Sequence, residues 1–324
     1  NKHEMERRKF IINSGIAASS LMLFSGCKSL LSQDALNSIG VQLFSFPKLL
    51  EKDFNAGIKM VSEMGYKEIE MFGPFNFSVE AAKKRWKSIT PMLGFNGSGY
   101  FGHTTKEIKT ILDEHNIKVT SIHSDMDTMQ TRMEEIAKES EQLGFEYVVL
   151  PAIPEEKRQT LDDYKRVVEE FNEIGGKAKQ VGLKFVYHNH GYGFNKIENQ
   201  VPIELVFDQT ESNLVFFQMD LFWTIAGGMN PSDLLNAYPG RYVSMHVKDM
   251  KKLTRFSGDG GDPSQWMELF PQMASLGDGV LDIPKIISTA QQQGVKHFYI
   301  EQDIVNNPEV ALKKSFNYLK SLNV

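Results

Sequence analysis

The chain has 324 residues, a formal net charge of −5 and a hydrophobic content of 41%. This composition can form a large buried core, and it excludes disordered, collagen-like and coiled-coil proteins. The single cysteine, Cys27, rules out disulfide bonds and cysteine-ligated metal sites in the remainder of the chain. The acidic balance does not favour a nucleic-acid-binding protein.

The N-terminal 27 residues have the pattern of an export signal. Residues 7–27 read RRKFIINSGIAASSLMLFSGC, a paired arginine followed by a weakly apolar run and small residues before Cys27. This order is typical of a twin-arginine signal that ends in a lipobox. We therefore expect an exported protein, periplasmic or anchored to a membrane only by a lipid on Cys27, with residues 28–37 as a tether.

From residue 38 onward, short apolar runs alternate with longer amphipathic ones. Eight runs have the pattern of buried strands. They are residues 39–44, 68–72, 117–123, 146–150, 183–188, 214–220, 242–247 and 297–301. Helical periodicity with stop signals is found at residues 54–64, 105–115, 128–143, 161–181, 231–238, 284–293 and 308–322.

This alternation predicts parallel strands joined by crossover helices, and the number eight favours a closed barrel over an open doubly wound sheet. We predict an α/β fold with a single (β/α)8 TIM barrel over residues 38–324. Two long excursions follow predicted strand ends, at residues 73–104 and 250–283. The glycine-rich run at residues 256–263 predicts a mobile loop over the barrel mouth rather than a phosphate cradle.

Ionisable and polar side chains collect where the predicted strands end. They are Glu70, His123, His188, Asn189, His190, Asp220, His246, Lys248, Asp249, Glu301 and Asp303. In a closed barrel these positions meet at one mouth, the face on which active sites are built. Charged groups buried there must be paired, solvated or bound to a cation, because an unpaired one costs several kcal/mol.

The mixture of imidazoles and carboxylates suits one divalent metal ion, Mn²⁺, Zn²⁺, Co²⁺ or Mg²⁺. The best candidate ligands lie on four successive strands. They are His188, Asp220, His246 and Glu301. His190 is an alternative to His188, because a one-residue difference in where the fifth strand bends decides which side chain points inward.

Five sequence runs resemble the xylose isomerase-like barrel superfamily, which is also labelled sugar phosphate isomerases/epimerases. They are VYHNHGYGF (186–194), MDLFW (219–223), MHVKD (245–249), YIEQD (299–303) and the run at 100–125. The resemblance covers roughly residues 38–322 and includes the inosose dehydratase-like and 3-keto-glycoside lyase-like branches. It implies one divalent metal ion held by Glu, Asp, His and Glu from strands five to eight.

Asp220, His246 and Glu301 match three of these implied ligands, and His188 stands where a glutamate is common. A neutral histidine leaves the ion more electrophilic and does not support the usual relay of protons between two glutamates. Trp223 likewise stands where sugar epimerases tend to carry a histidine.

Such a site predicts removal of a proton α to a sugar carbonyl through a metal-stabilised enediolate. Candidate catalytic groups are Glu301, His190 and His123 as bases and Lys248 as a proton donor or oxygen-binding group. The candidate substrate-binding residues are Trp223, Glu70, Asn189 and His103.

A sugar isomerase or epimerase is the leading interpretation, and export favours an unphosphorylated sugar as its substrate. A lyase that acts by β-elimination on 3-keto-glycosides, or a related dehydratase, is the second, with a sugar oxidoreductase as a candidate partner. A non-catalytic sugar-binding lipoprotein is the third. The DNA-repair endonuclease branch of the same barrel is disfavoured by the acidic charge and the export signal.

Overall fold

The computed structural model describes residue 36 and residues 38–322. The predicted export signal at residues 1–27, and the predicted tether apart from residue 36, lie outside the described residues. Within the described part of the chain, no helix combines the length and the apolar character needed to cross a membrane.

The strands confirm the predicted α/β barrel. In chain order they are β1 (Ile39–Gln42), β2 (Glu68–Phe72), β3 (Lys118–His123), β4 (Tyr147–Leu150), β5 (Lys184–His188), β6 (Val215–Asp220), β7 (Tyr242–Val247), β8 (Asp249–Met250), β9 (Met273–Ala274) and β10 (His297–Ile300). All except β8 and β9 pair in parallel around a closed barrel, in which β10 pairs with β1. Every predicted strand is present, with each end within two residues of its predicted position.

Helices surround this barrel. In chain order they are α1 (Pro47–Lys52), α2 (Phe54–Met64), α3 (Glu80–Leu93), α4 (Thr105–Glu114), α5 (Met126–Thr131), α6 (Met133–Leu143), α7 (Leu161–Gln180), α8 (Pro202–Gln209), α9 (Leu221–Ala226), α10 (Pro231–Ala237), α11 (Pro263–Leu269), α12 (Ile283–Gln292) and α13 (Pro308–Ser321). The predicted helix at 128–143 is two helices, because the chain leaves the helical conformation at Arg132.

Local sequence signals fix several helix ends. Thr104 and Glu107 form a reciprocal capping box at the start of α4, which satisfies two backbone N–H groups that would otherwise lack partners. Gly65 ends α2 with a left-handed φ of 110°, a conformation that glycine adopts without a steric cost. These signals set where each crossover turns back to the barrel.

The second excursion is tied to the barrel by the buried carboxylate of Asp249. Its Oδ1 accepts hydrogen bonds from the backbone N–H groups of Met250 and Leu281, at 2.7 and 3.2 Å. Its Oδ2 accepts from those of Gly277 and Gly279, at 3.0 and 3.1 Å. A Cβ at Gly279 would lie 2.1 Å from Oδ1, so only glycine allows this close approach. Asp249 is therefore a structural group that folds residues 277–281 against β8.

We expect Asp249→Asn to destabilise the protein by about 1–3 kcal/mol, because an amide has one acceptor oxygen and leaves buried N–H groups without a partner. Thermal unfolding and limited proteolysis within residues 250–283 measure the effect. The matched control is Asp278→Asn in the same excursion, whose exposed side chain pairs with Lys314 and contributes little. Equal unfolding midpoints for the two variants would contradict the structural role.

Candidate functional site

The polar residues predicted at the strand ends do converge on one end of the barrel, and most of them are buried. The side chains of Asp220, His246, Lys248 and Glu301 are each 6% exposed or less. They come from β6, β7 and the residues that follow β7 and β10. The site is thus a group of charges withdrawn from water, which must satisfy one another or bind a cation.

Glu70, in β2, organises the interior just below this mouth and is fully buried. Its two oxygens contact five side chains, those of Gln42, Ser121, His123, Gln218 and His246. Burial opposes the charged form of Glu70, but His123 and His246 hold its pKa well below the usual value. The prediction that Glu70 contacts substrate does not fit this position, because its carboxylate is surrounded by protein groups.

Gln218, which the sequence analysis missed, fixes the orientation of His188. Its Oε1 lies 2.9 Å from Nδ1 of His188 and 3.1 Å from Nε2 of His123. An amide oxygen only accepts hydrogen bonds, so each of these ring nitrogens carries a hydrogen. Burial lowers the pKa of His188, so its ring is neutral and its Nε2 keeps a free lone pair. The signal for Gln218 was its place two residues before Asp220, on the same face of β6.

Asp220, His246 and Glu301 form a candidate metal centre, with ligand atoms within 4.8 Å of one another. Nδ1 of His246 lies 2.7 Å from Oε2 of Glu301 and 3.8 Å from Oδ2 of Asp220. Nε2 of His188, the fourth predicted ligand, lies 3.8 Å from the same Oδ2. This mixture of nitrogen and oxygen donors is one that Mn²⁺, Zn²⁺ and Co²⁺ accept.

Asp220 provides the observation that tests this fit. Its Oδ1 accepts a hydrogen bond from the backbone N–H of Trp223, at 2.8 Å, and so caps α9. Its Oδ2 is buried and accepts no hydrogen bond of acceptable angle from the described residues, although Nζ of Lys248 is 2.9 Å away. Burial raises the pKa of Asp220. A buried oxygen without a hydrogen-bond donor fits a metal ligand.

His123, His188 and His246 form a second group of potential ligands among the described residues. Nε2 of His123 is already 2.9 Å from Oε1 of Glu70 and 3.1 Å from Gln218. Nε2 of His246 also contacts Glu70. Because a metal held by three histidines would have to replace these contacts, the group that contains Asp220 and Glu301 is the better candidate. His123, predicted as a base, is a member of the interior network.

Lys248 places a buried ammonium group among three carboxylates. Its Nζ lies 2.9 Å from Asp220, 2.6 Å from Glu301 and 2.6 Å from Asp303. Burial alone would lower the pKa of Lys248, but the three carboxylates raise it above its usual value. Burial also opposes the charged form of Glu301, whose pKa Lys248 and His246 nevertheless lower. The ammonium and the Glu301 carboxylate are therefore both charged at neutral pH.

Asp303 completes this charged group, and the sequence analysis gave it no role. Its side chain is 8% exposed, and burial together with the nearby charge of Glu301 raises its pKa to about 7. It lies two residues after Glu301 in the run YIEQD. That spacing was the available signal, although it did not show that Asp303 would reach Lys248.

His190 lies beside the candidate metal centre rather than in it. Its Nδ1 donates a hydrogen bond to the carbonyl oxygen of Pro151, at 2.7 Å, which leaves Nε2 free. Burial, aided by Lys248, lowers the pKa of His190 to about 3. Neither ligand group includes it. Of the two alternatives in this segment, the structure thus brings His188 to the candidate ligands.

The other predicted substrate-binding residues are occupied by contacts within the protein. Trp223 is 2% exposed and stacks between Phe256 and His190, with ring centroids 5.6 and 5.9 Å away. A sugar could stack on it only after one of these rings moves. Asn189 is buried and bonds the side chain of Thr224 and the backbone N–H of Asp220.

His103 is half-buried, and its ring lies 5.6 Å from that of Phe54 at the start of α2. The predicted substrate contacts of Trp223 and Asn189 therefore do not fit their positions, and that of His103 stays a prediction. The sequence patterns located polar and aromatic residues near strand ends, but they did not show which of them pack against protein.

The glycine-rich run at 256–263 does pass over this region. Phe256 stacks on Trp223, the side chain of Trp266 donates a hydrogen bond to Gly260 O at 2.7 Å, and Arg158 donates one to Gly261 O at 2.8 Å. These three contacts hold the run against the mouth. Trp266 also stacks on His190, with a centroid distance of 4.3 Å, and so covers one side of the site.

Comparison with known proteins agrees with this architecture. Inosose dehydratase of Clostridium perfringens is 28% identical over 159 residues, which are 47% of this chain and 52% of that enzyme. The chain thus matches about half the length of this curated relative. A sugar phosphate isomerase/epimerase from Parabacteroides distasonis shares the fold with a TM-score of 0.69 and 21% identity, over 92% of this chain and 98% of that one.

Two further solved structures share the fold at lower identity. The zinc-containing IolI protein aligns with a TM-score of 0.62 and 14% identity, over 89% of this chain and 96% of that one. The 3-keto-D-glucoside 4-epimerase of E. coli aligns with a TM-score of 0.58 and 15% identity, over 88% and 98%. The family model of the xylose isomerase-like TIM barrel matches residues 58–322. The chain belongs to the xylose isomerase-like TIM barrel family.

Proposed function

We propose that the protein is a divalent-metal-dependent lyase that removes the proton next to the carbonyl of an unphosphorylated keto-sugar and expels the β-substituent. The observation that carries this proposal is the contact of Lys248 with both Asp303 and Glu301 beside the candidate metal centre. The similarity to an inosose dehydratase supports an elimination. Export from the cytoplasm, proposed from residues 1–27, supports an unphosphorylated substrate.

Asp220, His246 and Glu301 would hold the metal ion, with Nε2 of His188 as the fourth donor. The zinc in the IolI structure, which shares this fold, supports a divalent ion in the proposal. A bound divalent ion would polarise the substrate carbonyl and stabilise the negative charge that develops when the proton leaves. Glu70 and Gln218 hold the rings of His246 and His188 in the orientation that faces the ligand atoms.

Asp303 and Lys248 supply the base and the acid. The Asp303 carboxylate takes the proton from the α-carbon, and that electron pair forms the new C=C bond as the C–O bond to the β-substituent breaks. The Lys248 ammonium gives a proton to the departing oxygen. The reaction yields an unsaturated keto-sugar and an alcohol or water, and it uses no oxidant or reductant.

The contact between these two groups favours elimination over epimerisation. Asp303 Oδ2 and Lys248 Nζ are 2.6 Å apart, so both approach a substrate from the same side. Loss of a proton and of a neighbouring group from one face is a syn elimination. Epimerisation needs a proton donor on the opposite face, and Glu70 is too deeply engaged with protein groups to provide it.

Isomerase or epimerase action is the second candidate function. The observation in its favour is the free Nε2 of His190, on a residue whose other ring nitrogen is fixed by Pro151. The fold likeness to a 3-keto-D-glucoside 4-epimerase agrees with it. In this reading His190 returns the proton to the sugar and no group leaves.

Metal binding is tested with Asp220→Asn. An asparagine can still accept the capping hydrogen bond from Trp223, but it loses the carboxylate charge at the candidate centre. We expect the affinity for Mn²⁺ or Zn²⁺ to fall at least about 100-fold, measured by calorimetric titration and by elemental analysis of protein purified without chelator. Asp233→Asn, at an exposed position in α10, is the control. Unchanged metal content in Asp220→Asn would contradict the assignment.

Elimination is tested with 3-keto-glucosides in the presence of Mn²⁺ or Zn²⁺. We expect release of the aglycone, and a fall in kcat of at least about 100-fold in Asp303→Asn and in Lys248→Met because each removes a proton-transfer group. Circular dichroism and thermal unfolding check that each variant folds. Lys252→Met, at an exposed position of the second excursion, is expected to keep wild-type kcat.

The products distinguish the two candidate functions. An epimerised or isomerised sugar with its aglycone retained would replace the lyase proposal with the second candidate. If metal-loaded protein instead binds the sugar with no turnover and no exchange of the α-proton for deuterium from the solvent, that result would favour the non-catalytic sugar-binding protein.

A further inference from the structure

A cavity of about 400 Å³ lies directly beside the charged group described above. It is bounded by the end of α3, by the segment from α11 to β9 and by residues 302–306 after β10. Its volume falls within the range of sites that hold small molecules. Both long excursions contribute to it, so it is built from segments that the barrel itself does not require.

The walls of this cavity are mainly apolar and rich in thioethers. The lining includes Met92, Leu93, Met267, Phe270, Met273 and Ile304. Methionine side chains adapt their shape and make favourable sulfur contacts with aromatic rings. Met92 is 45% exposed, so the cavity opens to solvent at the end of α3. These walls fit a flat apolar group of variable size.

Asp303 is one of the residues that line the cavity. The same carboxylate is 2.6 Å from Lys248, which in turn is 2.6 Å from Glu301. A molecule that extended from the candidate metal centre into the cavity would therefore pass Asp303 and Lys248, the base and the acid proposed above. The bond that breaks in the elimination would lie beside these two side chains.

The backbone between Asp303 and the cavity is held in an uncommon conformation. Ile304 has a φ of 47°, in the left-handed region that β-branched residues rarely adopt. Its backbone N–H donates a hydrogen bond to Phe44 O at 3.2 Å. The backbone N–H groups of Gln302 and Val305 donate to the hydroxyl and the carbonyl oxygen of Ser45. A strained residue that is fixed by its surroundings often marks a ligand site. Here it places Ile304 in the cavity wall while Asp303 faces Lys248.

We propose that this cavity binds the leaving group of a glycoside, an apolar alcohol that contains an aromatic ring. The keto-sugar part of the same molecule lies against Lys248, Glu301 and Asp303. This inference rests on the proposed function. Lys251 is the basic residue among the described residues that line the cavity, and its Nζ donates a hydrogen bond to Pro271 O. The other polar residues of the lining, besides Asp303, are Gln302 and Asn306. A single lysine does not make the cluster of cationic donors that a phosphate needs.

The first test compares 3-keto-glucosides that carry a phenyl or a methyl aglycone. We expect the phenyl substrate to have at least a tenfold lower KM than the methyl substrate. In Met267→Asp and in Met92→Asp, a carboxylate in the apolar wall is expected to raise the KM of the phenyl substrate at least tenfold and leave that of the methyl substrate unchanged. Leu253→Asp, which alters a side chain that is 71% exposed in the same excursion, is the control and is expected to change neither.

The second test needs no turnover. Phenyl β-glucoside, methyl β-glucoside and cellobiose are titrated into protein with ¹³C-labelled methionine methyl groups, and the signals of Met92, Met267 and Met273 are followed by NMR. Shifts that appear with phenyl β-glucoside but not with the other two sugars support the cavity assignment, even if the protein shows no lyase activity. Equal shifts with cellobiose, or no shift together with equal KM values for the two keto-glucosides, would overturn it.

Discussion

The site depends on one buried carboxylate, that of Glu70. A carboxylate withdrawn from water is stable only when donors surround both of its oxygens. In this barrel the donors include the side chains of His123, Gln218 and His246. Gln218 in turn orients His188. The requirement to satisfy one charge therefore fixes the rings of three histidines whose other sides face the mouth.

This polar interior is placed inside a barrel whose outer contacts are apolar. Buried side chains of the strands and surrounding helices form a continuous core that includes Ile58, Val61, Phe171, Phe185 and Leu312. Burial of such side chains contributes about 1.5–3 kcal/mol each, and it offsets the desolvation of the charges inside. The crossover helices can thus stabilise the fold without touching the site. The charged side chains at the mouth are therefore not needed to stabilise the fold.

The sequence alone predicted the barrel, because strand patterns of the right length recur eight times and the chain shows no break between them. It also indicated where polar groups would meet, since parallel strands place their ends at one mouth. It did not show which way each side chain faces. The strand register shifts at Ile69 and Glu70 and again at Phe217 and Gln218. Such irregularities re-aim side chains, and they occur at the two residues that organise the interior network.

The roles predicted for Trp223 and Asn189, near the mouth, were wrong for a related reason. Trp223 is close to the candidate ligands in sequence and in space, but the second excursion brings Phe256 onto its face. Asn189 follows the fifth strand as a ligand would, but Thr224 and Asp220 use its amide. Contacts between segments that are distant in sequence determine what Trp223 and Asn189 bind. The periodicity of a single segment cannot predict such contacts.

The candidate metal ligands lie at the ends of the barrel strands, whereas the cavity is lined mainly by the two excursions. This separation allows one barrel to support different reactions. Asp220, His246 and Glu301 come from strand ends, and the divalent ion that we propose they hold would stabilise negative charge on a sugar whichever bond breaks next. The outcome depends on which groups lie beyond them. Here Lys248 and Asp303 lie on one side, and His190 is covered by Trp266 on another. The cavity beside Asp303 is formed mainly by the two excursions. Because substitutions in the excursions leave the strand register intact, the reaction can change without a change in the proposed metal ligands. Specificity in this protein is therefore best sought in the excursions at 73–104 and 250–283 rather than in the barrel.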